Sequence, residues 1–162
     1  MALKAKVLGR AELTKKLNAL APNVEKYAAE AKMKGAQELA KAVAARAPRR
    51  TGDYATSIKA GLLSERPAQE RVGTTATKDP SAAGLYAEFI WRFLEFGTAP
   101  HFTTKGGGTV GGKKTAATAG TGMHPGTAPQ PHIFPTYRAL KTKIRKRILA
   151  AVNKGVKEAM SK

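Results

Sequence analysis

The chain has 162 residues and a formal charge of +18, from 29 Lys+Arg against 11 Asp+Glu, and it contains no cysteine. This length suits a single domain, 1–162, with a modest core, and the missing thiols exclude a disulfide framework, a thiolate metal site and a cysteine nucleophile. Hydrophobic residues make up 42% of the sequence but aromatics only 6%. Alanine supplies much of that fraction, each buried side chain therefore removes little area from water, and packing against copies of itself would help the chain.

The charge is uneven along the sequence. Residues 1–50 hold 12 basic and 4 acidic groups, residues 51–100 hold 5 and 6, and residues 101–162 hold 12 and 1. The excess lies at the two ends, around a neutral middle. It attracts nucleic acid, acidic protein surfaces or anionic lipid without choosing among them. The first ten residues hold no apolar stretch of signal-peptide length, and no segment reaches membrane-spanning length. A soluble chain without membrane contact is expected, and the lack of cysteine suits a reducing cytoplasm.

In chain order, Leu13, Leu17 and Leu20 hold helical spacing before Ala21-Pro22-Asn23 interrupts them. The pattern resumes with Val24, Tyr27, Ala28, Ala31, Gly35, Leu39, Ala42, Val43 and Arg46 on one face of a long helix. Pro22 opens that helix and Pro48 closes it. Its small residues Ala28, Ala31 and Gly35 suggest close approach to a neighbouring element. Arg49-Arg50-Thr51-Gly52-Asp53 is a turn. Tyr54, Thr56, Ile58, Ala60 and Leu62 then alternate with smaller or polar residues, which predicts a half-buried strand, and a second strand is predicted over 70–75.

Residues 84–98 hold five of the ten aromatics. Tyr86, Phe89, Ile90 and Phe93 share helical spacing, whereas Trp91, Phe93 and Glu95 equally alternate as in a strand. A short helix leading into a short extended segment is the favoured reading. Residues 103–123 form a Gly/Thr/Ala/Lys tract with almost nothing to bury, which predicts a long flexible loop. A last amphipathic helix is predicted over 135–160, with Pro135 in its first turn. Its stripe is Tyr137, Leu140, Ile144, Ile148, Val152, Val156 and Met160. The expected fold class is α+β: a small mixed or antiparallel sheet flanked by long N-terminal and C-terminal helices.

No reactive constellation emerges. Asp53 and Glu95 are the candidate carboxylates of the middle region, and nothing in the sequence joins them as an acid/base couple. His101, His124 and His132 show no metal-ligand spacing. Gly111-Gly112-Lys113-Lys114-Thr115 follows no strand and opens no helix, so it is not a phosphate loop. Ser57 and Ser81 lack a nucleophile elbow. An enzyme is not expected, nor any cofactor or metal.

Three motifs occur in a telling order: Arg46-Ala47-Pro48-Arg49-Arg50-Thr51-Gly52 followed by Ser57-Ile58, then Phe93-Leu94-Glu95-Phe96-Gly97-Thr98, then Pro131-His132-Ile133-Phe134-Pro135-Thr136-Tyr137. Together they resemble the gene-product-ten-like tail-component family of lambdoid siphophages and gene transfer agents, over roughly 25–160. Glu95-Phe96-Gly97-Thr98 is the most specific piece. The chain departs from the family pattern at Tyr54, one position later than the usual leucine after Thr51-Gly52. It departs again in the last motif, where Pro-Phe-x-x-Pro-Ala is usual, and in the length of the 103–123 tract.

The resemblance implies a structural virion protein made in the host bacterial cytoplasm and placed at the head–tail junction, as a neck, tail-completion or tail-terminator subunit. It implies a ring of copies, six of them, that joins the tail to the capsid connector. The partners are then the chain itself, the neighbouring head-closure or connector proteins, and tail-tube or tail-terminator proteins. On the same basis Pro48, Thr51, Gly52, Ser57, Ile58, Phe93, Glu95, Phe96, Gly97, Thr98, Phe134 and Pro135 are structural or interface residues. Phe93, Phe96 and Phe134 would fill the core where the last helix docks, and Glu95 would be partly buried and partnered by an arginine or by backbone N–H groups. Lys105, Lys113, Lys114, Lys143, Arg145, Lys146 and Arg147 are candidates to face DNA or an acidic partner. The competing reading is a free basic nucleic-acid-binding protein, which charge alone motivates.

Overall fold

The structure is a computed structural model that describes residues 22–65, 67, 70–73, 77–102 and 123–160. The leucines at 13, 17 and 20, the tract from 103 to 122, and Lys105, Lys113 and Lys114 lie outside the described residues. Two long helices carry the fold. Helix α1 (Pro22–Arg46) begins at its proline and ends just before Ala47-Pro48, since the residue preceding a proline disfavours helical geometry. It buries Ala31, Ala36, Leu39, Ala40 and Val43, the last completely. Helix α4 (Ile133–Met160) runs antiparallel to it. Gly155 lies against Val24 and Gly35 against Ile144, so glycine occurs where the two backbones approach most closely. The ends of the pair are tied by Tyr27 Oη donating to Glu158 Oε2 at 2.9 Å and Arg46 Nη1 to Thr136 Oγ1 at 3.2 Å.

Between the helices in sequence lie α2 (Asp53–Ser57), β1 (Lys59–Leu62), β2 (Ala83–Tyr86), α3 (Trp91–Phe96), β3 (His101–Phe102) and β4 (Met123–His124). Strands β1 and β2 pair antiparallel, with Lys59 opposite Tyr86 and Leu62 opposite Ala83. Residues 70–72 run along the outer edge of β2, where Val72 N donates to Leu85 O at 3.0 Å and Ala87 N to Glu70 O at 3.1 Å. A separate pair, β3 with β4, sets His101 opposite His124, their rings stacked 5.0 Å apart. The sheet side of the core is Ile58, Leu85, Ala87 and Trp91, packed on Leu39, Ala40 and Val43 of α1 and on Ile133 of α4. The α+β architecture with flanking long helices is the one anticipated.

Three local expectations are corrected. The predicted strand from Tyr54 to Leu62 is a helical turn, α2, followed by the shorter strand β1. Gly52 caps the turn in a left-handed conformation (φ 98°). Thr56 and Ser57 then return their hydroxyls to the carbonyls of Asp53 and Tyr54, at 2.8 and 2.7 Å. Such local side-chain bonds compete with a strand ladder, and Tyr54, Ala55 and Ile58 become buried together at helical spacing. In the aromatic segment the order is reversed, the extended piece β2 preceding the helix α3. Within α4 the predicted stripe packs against the core at Leu140 and Ile144 but departs from the expectation at its ends. Ile133 and Thr136 are buried, whereas Tyr137 and Val156 are 42% and 41% exposed.

Candidate functional site

Helix α4 opens with a problem that its own residues do not solve. The first N–H groups of a helix have no intrahelical acceptor, and here the opening turn is buried. A carboxylate from α3 supplies the acceptors. Glu95 Oε2 receives the N–H of His132 at 2.8 Å and of Ile133 at 2.9 Å, and Oε1 receives that of Phe134 at 3.0 Å. The next residue is Pro135, which has no N–H to satisfy. One side chain, 37 to 39 residues distant in sequence, and one proline thereby account for every donor in the turn. The negative charge also sits at the positive end of the α4 dipole. Glu95 is only 3% exposed, and three N–H donors are what a buried carboxylate requires.

His132 continues the set. Its Nδ1 lies 2.7 Å from the carbonyl oxygen of Gln130, which can only accept, so Nδ1 carries a proton. That nitrogen also lies 3.3 Å from Glu95 Oε2. Nε2 meets Tyr54 Oη at 2.7 Å, with the two rings edge to face. Burial, and then the Glu95 charge, push the Tyr54 phenol well above its ordinary pKa, so it remains a hydroxyl. Thr136 Oγ1 donates to His132 O at 2.6 Å and accepts from Arg46. Carboxylate, imidazole and phenol side by side have the composition of a general acid/base site. All three are nevertheless nearly inaccessible, and none lines the apolar groove of about 450 Å³ between α1, the β1–β2 sheet and α4. What this arrangement does is lock α1, α2, α3 and α4 at one point.

The residues after Glu95 complete the lock. Thr98 and Thr127 exchange both backbone hydrogen bonds, at 3.0 and 3.2 Å. Gly97 (φ 72°) and Gly126 (φ 88°) flank this bridge. A Cβ on Gly97 would stand 2.5 Å from Thr127 O, and one on Gly126 would collide with Thr98 O. Both the conformation and the space demand glycine. Gln130 N then donates to Leu94 O at 2.8 Å, leading the chain into α4.

The other sequence-selected residues divide between scaffold and surface. Ile58 is in the core. Ser57 Oγ accepts from Glu88 N at 3.1 Å, tying α2 to the end of β2, and Thr51 Oγ1 donates to Asp53 Oδ2 at 2.7 Å ahead of the Gly52 turn. Pro48 and Phe134 are half-buried and Pro135 is exposed. Phe93 and Phe96 do not fill the core: they are 50% and 64% exposed, and Phe89 beside them 64%. Helix α3 turns Trp91, Leu94 and Glu95 inward, and its spacing then directs Phe93 and Phe96 outward. On α4, Lys143 and Arg147 both pair with Glu38 of α1, and their hydrogen bonds hold the Glu38 carboxyl below its ordinary pKa. Arg145 and Lys146 are exposed and join no ion pair among the described residues. Sequence reasoning missed Tyr54 and His132 as partners. Their only sequence signal was polar atoms set among apolar motif residues.

Among the described residues no cluster of His, Asp or Glu is arranged to hold a metal ion, and no helix is long and apolar enough to cross a membrane. No curated protein matches the chain, and no solved structure does. The profile of the HK97-gp10-like bacteriophage tail-component family matches residues 11–97, more than half of the sequence. That span runs through α1, the β1–β2 sheet and α3, and ends at Gly97 of the Glu95 motif. The chain belongs to the HK97-gp10-like family of bacteriophage tail components.

Proposed function

We propose that this tail component is a structural subunit of the head–tail junction, acting as a neck, tail-completion or tail-terminator protein. In this reading copies close into a ring, of six, that joins the tail to the capsid connector. The observation that carries it is the contrast at α3: Glu95 is buried to fix the scaffold, while Phe93 and Phe96 on the helix and Phe89 just before it are left on the surface. Exposed aromatics clustered on one element are the composition of a protein interface. In this reading its partners are the head-closure or connector proteins and the tail-tube or tail-terminator proteins. Mass spectrometry of purified particles and a reconstruction of the neck test the reading. It predicts the chain as a closed ring between capsid and tail tube, and its absence from particles, or a position at the distal tail tip, would refute it.

A second reading has its own observation. Arg138, Lys141, Arg145 and Lys146 are exposed on α4, and no described acidic residue pairs with them. They can meet DNA passing through the ring, or serve a free nucleic-acid-binding role. Duplex binding by the isolated chain should then fall steeply with salt. Replacing Arg145 and Lys146 by glutamate should lower the log–log slope by about 2. Binding that ignores salt, or ignores these substitutions, removes this reading.

A further inference from the structure

Helix α4 carries a second apolar stripe, on the side turned away from the core. Leu149, Val152 and Val156 follow one another at spacings of three and four residues, which sets them on one line of a helix. Leu149 is 60% exposed and Val156 41%, with Val152 half-buried between them. The line spans about 10 Å, roughly two helical turns. Its surroundings are cationic. Arg145 stands one turn ahead of Leu149 on the same line, and exposed Lys146, three residues before Leu149, and Lys157, beside Val156, flank it. Helix α4 holds eight basic residues and one acidic residue, and that acid, Glu158, is engaged with Tyr27 and Lys154.

We propose that this stripe seats an acidic amphipathic helix of a different protein, one with apolar residues at the same three-and-four spacing. The inference rests on the junction reading and states the chemistry of one partner's face. An apolar centre inside a polar rim is the layout of a protein interface, and side chains spaced three and four apart interdigitate with a second helix. Charge decides which helix. The long helices of a second copy do not fit. Stripe against stripe would oppose Arg145, Lys146 and Lys157 to their own counterparts, and like charges facing each other across a contact suppress pairing. The apolar face of α1 is already buried in its own core. Duplex DNA satisfies the cations but offers phosphates, not apolar surface, to Leu149 and Val156. Carboxylates flanking an apolar seam satisfy both requirements at once. A seam of this length is short, so the contact is weak singly and gains strength when several copies present it together.

The test uses the full chain and two fluorescent synthetic peptides. One carries leucine at both seam positions of its heptads and glutamate on either side; the other has glutamine in place of leucine, at the same charge. Anisotropy titrations at physiological salt are run with both peptides and with a labelled DNA duplex. Wild type should bind the leucine peptide at least about tenfold more tightly than the glutamine peptide. Leu149→Ser with Val156→Ser should abolish that preference, while duplex binding, which the phosphates dominate, stays within about twofold of wild type. Leu149→Met should keep the preference. Circular dichroism establishes that the variants retain the wild-type fold. Equal binding of the two peptides by wild type overturns the inference, because charge alone then explains the contact. A double variant that still prefers leucine also overturns it, because the seat then lies elsewhere on the chain. A reconstruction of the neck reads the same surface in place. An acidic helix of another protein over Leu149 and Val156 is expected; solvent, DNA, a second copy or the chain's own residues 1–21 over them would overturn the inference. A closed ring whose stripe stays bare would sink this inference and leave the ring reading standing. Absence of the chain from particles would sink the ring reading, and the peptide titrations would still decide the stripe.

Discussion

Glu95 offers the sharpest test of how this scaffold is held. Glu95→Ala removes the acceptor for three N–H groups at 2.8 to 3.0 Å, in a site where the carboxylate is 3% exposed. A hydrogen bond to a charged group contributes about 1.5–3 kcal/mol, and donors left unpaired in a buried site cost about 1–3 kcal/mol each. The three share one carboxylate and do not add, so we expect a loss of about 4 kcal/mol, near the upper end for a point substitution. Glu95→Gln keeps the shape and one oxygen, which can still accept from His132 and Ile133, but turns an amide NH₂ toward the Phe134 N–H. Its loss should be about 2 kcal/mol. For a chain of this size these correspond to melting points lower by about 8–16 °C and 4–8 °C. Urea and thermal unfolding followed by far-UV circular dichroism measure both. Equal losses for Ala and Gln would show that the charge at the α4 terminus, and not hydrogen-bond acceptance, carries the effect. A loss under about 1 kcal/mol for Ala would refute the account of α4 capping outright.

Further outcomes follow from the same junction. The Tyr54 phenol is raised above its ordinary value of 10.0, so its contribution is fully present below pH 10 and is lost as pH rises further, because the unfolded phenol ionises first. Unfolding free energies from urea melts should decline above pH 10 by up to about 1.4 kcal/mol per pH unit from this group, and Tyr54→Phe should decline less steeply than wild type; parallel slopes would contradict it. Gly97→Ala places a methyl against Thr127 O in a backbone conformation reserved for glycine and should cost about 3 kcal/mol by chemical denaturation; near-neutrality would mean the Thr98–Thr127 bridge gives way freely. Val43→Ala, at a fully buried position in the last turn of α1, should cost about 2 kcal/mol in the same assay, and a much smaller loss would show that the core collapses around the cavity.

The division of labour along α3 bears on assembly. Its inward residues Trp91, Leu94 and Glu95 join the core or the start of α4. Any force applied to the outward phenylalanines is therefore transmitted to the longest helix through buried hydrogen bonds rather than through a loop. Phe96 makes the same link by packing, its ring 5.8 Å from that of Phe134 in the first turn of α4. Among the described residues the basic side chains of α4 are partly neutralised where Glu38 reaches Lys143 and Arg147 and where Lys154 meets Glu158. Exposed pairs of this kind add little to stability. Those to Glu38 fix two of the basic side chains against α1 while Arg145 and Lys146 face outward.

By itself the sequence determined the two long helices, because their apolar spacing, together with Pro22, Pro48 and Pro135 as boundaries, is local information. It also determined the charge distribution, the family motifs, and the demand that a carboxylate set between two phenylalanines find partners. The choice between strand and helix at Tyr54–Ile58 was not local: Thr56 and Ser57 hydroxyls bonding back to the chain outweighed an alternation that fitted both geometries. Which aromatics would be buried was equally undecided, since hydrophobicity says that a phenylalanine prefers the interior but not whether the interior has room for it. With Trp91, Tyr86 and the alanines of α1 already filling the core, Phe89, Phe93 and Phe96 remain outside. Only the tertiary structure brings Tyr54, Glu95 and His132 together across 78 residues, because the antiparallel docking of α4 on α1 sets where the first turn of α4 must lie. The same docking leaves the groove open beside the sheet.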